Sequence, residues 1–262
     1  MLIDTHCHLD AAEFGDRQAD IVRNAAAVGV NRLVIPAVAR TNFEAVRKLC
    51  EKYPNCSPAY GIHPMYTDNA TPQDLDALRD YLKQHPAVAV GEIGLDFFID
   101  HYDRERQEHF FVEQLKLAKE FNLPVLLHIR RAQDTILKHL RRFYGRVGPS
   151  TSLRTGIAHA FNGSRQQADE FTKLGFKLGF GGAMTYSRAT RLRELAATLP
   201  LDSIVLETDA PDIPPDFLER GAPNEPKYLQ RIAQTLADLR GMSLEQIAQA
   251  TTTNALSMLP KM

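Results

Sequence analysis

Short runs of apolar residues alternate along the chain with longer amphipathic stretches. The apolar runs predict strands over 2–6, 32–37, 56–62, 87–92, 124–129, 155–160, 176–180 and 203–207. Between them, apolar positions recur at helical spacing, for example over 16–30, 42–53 and 104–122. A further helix is predicted over 243–259, beyond the eighth strand. Strands that are apolar nearly throughout, each followed by a helix, make a parallel sheet covered by helices. Eight such units in 262 residues favour closure into a (β/α)8 TIM barrel, whose usual size is roughly 250 residues. The expected fold is therefore an α/β barrel in one domain, residues 1–262, with an additional C-terminal helix. Two stretches break the alternation. Residues 144–154 read as an extended loop entering strand six, and 211–226, with five prolines, as a long loop after strand eight. The second would overhang the face where the strands end, as functional loops and lids do.

Composition narrows the partners more than the fold. The 31 basic and 32 acidic residues leave a formal charge of -1. A protein that grips long stretches of nucleic-acid backbone carries a basic excess, so phosphate recognition here is expected to be local. A short single strand fits that balance better than a duplex. The three cysteines, Cys7, Cys50 and Cys56, are odd in number and form no CxxC pair. Reduced thiols in a cytoplasmic protein are expected. Met1 to Asp4 run straight into the first strand, so no secretory leader is expected. No apolar stretch approaches the ~20 residues of a membrane span. A monomer is the default expectation.

Five apolar runs end in histidine or acid: LIDTHCH (2–8), AVAVGEIGLD (87–96), PVLLHIR (124–130), TGIAHAF (155–161) and SIVLETDAP (203–211). Side chains at the C-terminal ends of barrel strands converge on one face, where barrel chemistry sits. His6 and His8 lie two apart on an extended segment and share a side, while Cys7 faces away as a small buried apolar group. His128 and His159 close strands five and six. Glu92 closes strand four, and a carboxylate there can join two cations roughly 3.5–4 Å apart through its two oxygens. Asp209 follows strand eight and is suited to ligate a cation and to accept a proton from water. Imidazole favours zinc and other transition ions, and carboxylates extend the range to manganese and magnesium. The expected ligands are thus His6, His8, Glu92, His128, His159 and Asp209, around two divalent cations (zinc, manganese, magnesium or nickel). Glu207 is expected to orient a histidine, whereas Asp4, Asp96 and Asp212 read as structural.

Other residues point to substrate. His63, ending strand three, is free to hydrogen-bond a substrate or leaving group. Arg130 shares the side of His128 and offers a bidentate fork to phosphate. Arg188, after strand seven, is a second phosphate candidate. Gly181 and Gly182 either let backbone amides approach a ligand or permit a tightly packed turn. Lys138, Arg141, Arg142 and Arg146 read as a solvated helix face, and His85, His101, His109 and His139 as ordinary surface residues.

In the order DTHCHLD (4–10), GIHP (61–64), GEIGLDFF (91–98), PVLLHIRR (124–131), HAFNGS (159–164), LETDAPD (206–212) and NEP (224–226), the motifs span nearly the whole chain. Together they resemble the TatD-type metal-dependent hydrolases of the amidohydrolase-like superfamily, and most of all their YjjV-like branch. The resemblance implies His6, His8 and Asp209 on one ion, His128 and His159 on the other, and Glu92 between them. Many related barrels place a carboxylated lysine at the end of strand four; here no lysine lies between Ala87 and Asp103. Ala160 stands where relatives often carry Cys or Gly, and Ile62 replaces the commoner Leu. The activity implied is a deoxyribonuclease trimming single-stranded DNA from the 3′ end, with Asp209, Glu92 and His63 as catalytic residues. Ester or amide hydrolysis, such as D-aminoacyl-tRNA deacylation, uses the same site and is the alternative. A non-catalytic metal- or partner-binding barrel is the third reading, disfavoured by the intact ligand set.

Overall fold

The computed structural model describes residues 1–145 and 155–262. Eight parallel strands form one sheet in sequential order: β1 (Leu2–Asp4), β2 (Val30–Pro36), β3 (Cys56–Tyr60), β4 (Ala89–Asp96), β5 (Val125–Arg130), β6 (Gly156–Ala158), β7 (Lys177–Phe180) and β8 (Ile204–Leu206). The barrel closes where the chain beyond β1 meets the chain beyond β8. Thr5 N donates to Leu206 O at 3.1 Å, Asp209 N to His6 O at 2.9 Å and His8 N to Ala210 O at 2.8 Å. The eight-stranded TIM barrel expected from the alternation is the fold observed.

Each strand is followed by a helix: α1 (Gln18–Ala27), α2 (Phe43–Lys52), α3 (Pro72–Gln84), α4 (Arg104–Glu120), α5 (Gln133–Tyr144), α6 (Arg165–Lys173), α7 (Thr190–Thr198) and α8 (Leu229–Arg240). Their apolar faces pack on the outside of the sheet in one continuous core. Strand residues of the opposite parity fill the barrel. Ile3, Val34, Ala59, Ala89, Leu126, Ile157 and Val205 form a separate inner cluster. The extra helix, α9 (Leu244–Met258), is tied to the N-terminal end of the barrel. Its Ala255 and Met258, with Leu259, join that inner cluster. Thr252 Oγ1 donates to Met1 O at 2.9 Å, and Asn254 Nδ2 donates to Ile204 O at 2.8 Å. One mouth of the barrel is thereby plugged.

The strand bounds differ from the pattern reading in an informative way. β1, β6 and β8 stop short of their polar ends, so His6, His159 and Asp209 lie in loops just past the sheet. β4 instead runs on to Asp96, which places Glu92 at its middle. The register of β4 against β5 slips between Val90 and Ile93, a local irregularity of the kind that re-aims a side chain beside an active site. Of the loop read over 144–154, residues 146–154, including Arg146, lie outside the described residues. His139 corrects another expectation: it is buried on α5, with Nε2 2.8 Å from Glu108 Oε2 of α4.

Candidate metal centre

Buried polar groups from α4 shape the strand ends before any ligand appears. Gln114 Nε2 donates to Ile62 O at 3.0 Å, and Gln114 Oε1 accepts from Ile62 N at 2.7 Å. About two turns earlier on the same face of α4, Gln107 Oε1 accepts from Asp96 N at 2.9 Å. These amides satisfy backbone groups that the sheet leaves unpaired, as burial demands. They hold the backbone next to His63 and at Asp96.

Glu92 is the hub. It is 2% exposed, and its two oxygens face opposite sides of the cluster. Oε2 lies 3.1 Å from His6 Nε2 and 3.6 Å from His8 Nε2. Oε1 lies 3.0 Å from His128 Nδ1 and 3.6 Å from His63 Nε2. Asp209 Oδ1 stands 3.4 Å from His159 Nε2, 3.6 Å from His8 Nε2 and 3.8 Å from His6 Nε2. The rings of His6 and His159 stack at 3.6 Å. Donor atoms converge in three sets: His6, His8 and Asp209; His6, Glu92 and His159; His63, Glu92 and His128. His128 falls in a set with Glu92 and His63, and His159 in a set with Glu92 and His6, so Glu92 is common to both.

Two acids stand behind the cluster, each beside one histidine. Asp96 Oδ2 lies 3.0 Å from His128 Nε2, which turns Nδ1 toward Glu92. Glu207 Oε1 lies 3.0 Å from His159 Nδ1, which turns Nε2 toward Asp209. Such carboxylate–histidine pairs fix ring orientation and raise ligand basicity. Glu207 was legible as an orienting group. Asp96 was not: it reads as structural, although its spacing of four from Glu92 on one strand puts both on the same face. Asp4 is structural in the plain sense. Fully buried, it accepts from Thr208 N at 2.9 Å and from His6 N at 3.3 Å.

Gly179 makes room for Glu207. A Cβ there would lie 2.2 Å from Glu207 Oε2. Gly182 has a packing role as well: its Cβ would lie 2.3 Å from Ile213 O, in the loop after β8. That loop is anchored by Asn224, whose Nδ2 donates to Thr208 O at 2.8 Å and to Asp212 O at 3.0 Å. Of the two readings of Gly181 and Gly182, tight packing is therefore the one the geometry supports.

Electrostatics follow from burial and from this pairing. Burial opposes the charge on Glu92, but His6, His63 and His128 outweigh it and hold the carboxyl well below its ordinary range. Asp209 is lowered in the same way by His159, His6 and His8. Burial also opposes a charged His128, yet Asp96 and Glu92 lift it to about 9. His159 is likewise raised against burial by Glu207 and Asp209. His63 goes the other way, pushed down to about 3 by burial and by His128. Its Nδ1 accepts from Met65 N at 3.2 Å, so the neutral ring carries its proton on Nε2. That nitrogen is a donor aimed into the site, with no lone pair for a cation.

The donor set fits a divalent cation. Buried imidazole nitrogens and carboxylate oxygens suit zinc, manganese or nickel. Among the described residues, neither Glu92 nor Asp209 has a lysine or arginine within ion-pair distance; histidines are their only basic neighbours. The cluster opens into a cleft of about 1140 Å³, lined by His8, His63, Glu92, Asp96, His128, Arg130, His159 and Asp209, among others. Arg130 stands at its rim with Cζ 3.7 Å from the Phe98 ring centre. Arg188 is not among the lining residues and lies over Tyr186, 4.9 Å from the ring centre.

A family model for TatD-related DNases matches residues 3–260. The metal-dependent hydrolase YjjV of Escherichia coli K12 is 44% identical over 259 residues, covering 98% of this chain and 96% of its own. The crystal structure of that TatD homologue superposes with a TM-score of 0.93 at 42% identity, over 99% of this chain and 98% of its own. The 3′-5′ ssDNA/RNA exonuclease TatD of Escherichia fergusonii is 32% identical over 263 residues, covering 98% of both chains. With the ligand cluster in place at the open end of the barrel, the chain belongs to the TatD-related family of metal-dependent hydrolases.

Proposed function

We propose that the protein is a divalent-metal-dependent nuclease that trims single-stranded DNA from its 3′ end. One observation carries the reading. Glu92 presents one oxygen to His6 and His8 and the other to His128, which is how a carboxylate joins two cations. The exonuclease named among the relatives supports the choice of phosphodiester over carbonyl substrates. In this reading His6, His8 and Asp209 would hold one cation and His128 and His159 the other, with Glu92 available to both. Bound divalent cations polarise a phosphoryl oxygen and lower the pKa of water toward neutrality.

The chain's own groups do the rest. Asp209, kept ionised by its histidine neighbours, accepts the proton of the attacking water. His63 donates from Nε2 to a phosphoryl or leaving oxygen, a role its neutral state and fixed tautomer suit. Asp96 and Glu207 keep His128 and His159 in register. Arg130, at the rim, meets a phosphate outside the reacting one; Arg188, away from the cleft lining, is not given that role.

Metal-stripped protein, reconstituted separately with magnesium, manganese and zinc, tests the reading on single-stranded DNA labelled at its 3′ end. The expected result is metal-dependent release of labelled mononucleotide. Intact DNA with every metal, alongside hydrolysis of an aminoacyl ester, would move the assignment to carbonyl chemistry.

A further inference from the structure

We propose that Phe98, with Arg130 and Arg131 laid over it, is a stacking platform for an unpaired nucleobase beside the cleft that Arg130 lines; this rests on the nuclease reading and adds a substrate-positioning element to it. Phe98 lies two residues beyond the end of β4 and is 43% exposed. Its ring is placed by the site itself. Phe98 N donates to Asp96 Oδ1 at 2.9 Å, and Asp96 Oδ2 is the group that orients His128. Phe97 N donates to Arg130 O at 2.8 Å, which ties the same loop to the end of β5.

Two guanidinium groups share this one ring. Arg130 Cζ is 3.7 Å and Arg131 Cζ 4.6 Å from its centre. Simple strand alternation would send them to opposite sides, but Arg131 has a φ of 54° and the alternation ends there. Neither arginine has a carboxylate within ion-pair distance among the described residues; nearby Arg104, by contrast, pairs with Asp100. A flat cationic stack without counter-ion, beside a centre built for phosphodiesters, matches what a single strand offers: a base face to stack and a phosphate to bind.

The neighbouring loop adds to the same surface. Among the described residues, the large exposed apolar side chains are Met1, Met65, Tyr66, Phe98 and Leu256. Met65 and Tyr66 line the cleft, so three of these five stand on the loops that follow β3 and β4. With a net charge of -1, the protein has no broad basic track, and affinity for a strand must come from local stacking and a few guanidinium groups. Duplex bases present no free face, so such a platform selects unpaired ends.

Binding of a labelled, phosphorothioate-linked oligo(dT) to the metal-loaded protein, read by fluorescence anisotropy, tests the proposal together with kcat and KM on ordinary single-stranded DNA. Phe98→Ala is expected to weaken binding about ten-fold, to raise KM in proportion and to leave kcat near wild type. Phe98→Tyr keeps the ring and should bind like wild type. Phe217→Ala removes a comparable arginine-stacked ring, 3.6 Å from Arg231 Cζ; Arg231, unlike Arg130, does not line the cleft, so neither quantity should change. Wild-type cleavage with an unaltered Phe98→Ala, or equal losses in Phe217→Ala, overturns the platform alone. Wild-type protein that neither binds nor cleaves the strand overturns the nuclease reading and the platform with it.

Discussion

Asp96 and His128 meet at 3.0 Å, Oδ2 to Nε2, and this contact decides which nitrogen of His128 faces Glu92. The acid sits at the end of β4, its amide held by Gln107 of α4, so two elements fix one imidazole. Asp96→Ala should therefore weaken metal binding on the order of 10–100-fold while the barrel stays folded. Competition with a chromophoric chelator reads the affinity. Wild-type affinity in the variant would remove Asp96 from the site.

The raised pKa of His128, about 9, and the raised value of His159 have a consequence for metal uptake. Below those values the metal-free rings carry protons, and a ligating nitrogen must lose its proton. Cation binding at neutral pH should thus release protons, and affinity should climb as pH rises from neutrality toward the His128 value of about 9. Isothermal titration in buffers of different ionisation heat measures the release directly. Proton-neutral binding at pH 7 would contradict the charge state derived for these two histidines.

Ala160 follows His159 with a φ of 43°, in the left-handed region that costs a residue with a Cβ roughly 1–2 kcal/mol. Its amide donates to Glu207 Oε1 at 2.5 Å, so the turn is held by the acid that orients His159. Ala160→Gly should raise stability by up to about 1 kcal/mol, after allowing for glycine's freedom in the unfolded chain. In a chain of this size that is a melting-temperature gain of about 2–4 °C. A fall by the same amount would show that the local turn is not strained.

Much of this was legible in the chain. The (β/α)8 pattern survives translation into structure because each strand is apolar throughout, and that property depends on burial alone. Asp209 and the histidines are visible because they interrupt or follow those runs. What escaped notice depends on partners distant in sequence. Asp96 gains its meaning from His128, 32 residues away, and Gln114 from Ile62, 52 residues away. His139 reads as a surface residue until Glu108 of α4 meets it. Arg131 could not be placed by alternation because its backbone turns left-handed. Arg188 is well spaced after β7, yet nothing in that spacing says whether its side chain reaches the cleft.

The most direct test of the account is a paired measurement on wild type and Glu92→Ala, both metal-stripped and reconstituted identically: bound metal per chain, and mononucleotide release from 3′-labelled single-stranded DNA. The hub geometry of Glu92 predicts that wild type holds a pair of cations and releases nucleotide. Glu92→Ala should fail to hold the pair and lose nearly all turnover. A Glu92→Ala protein that binds metal and cleaves at the wild-type rate would contradict the claim that this carboxylate organises the centre.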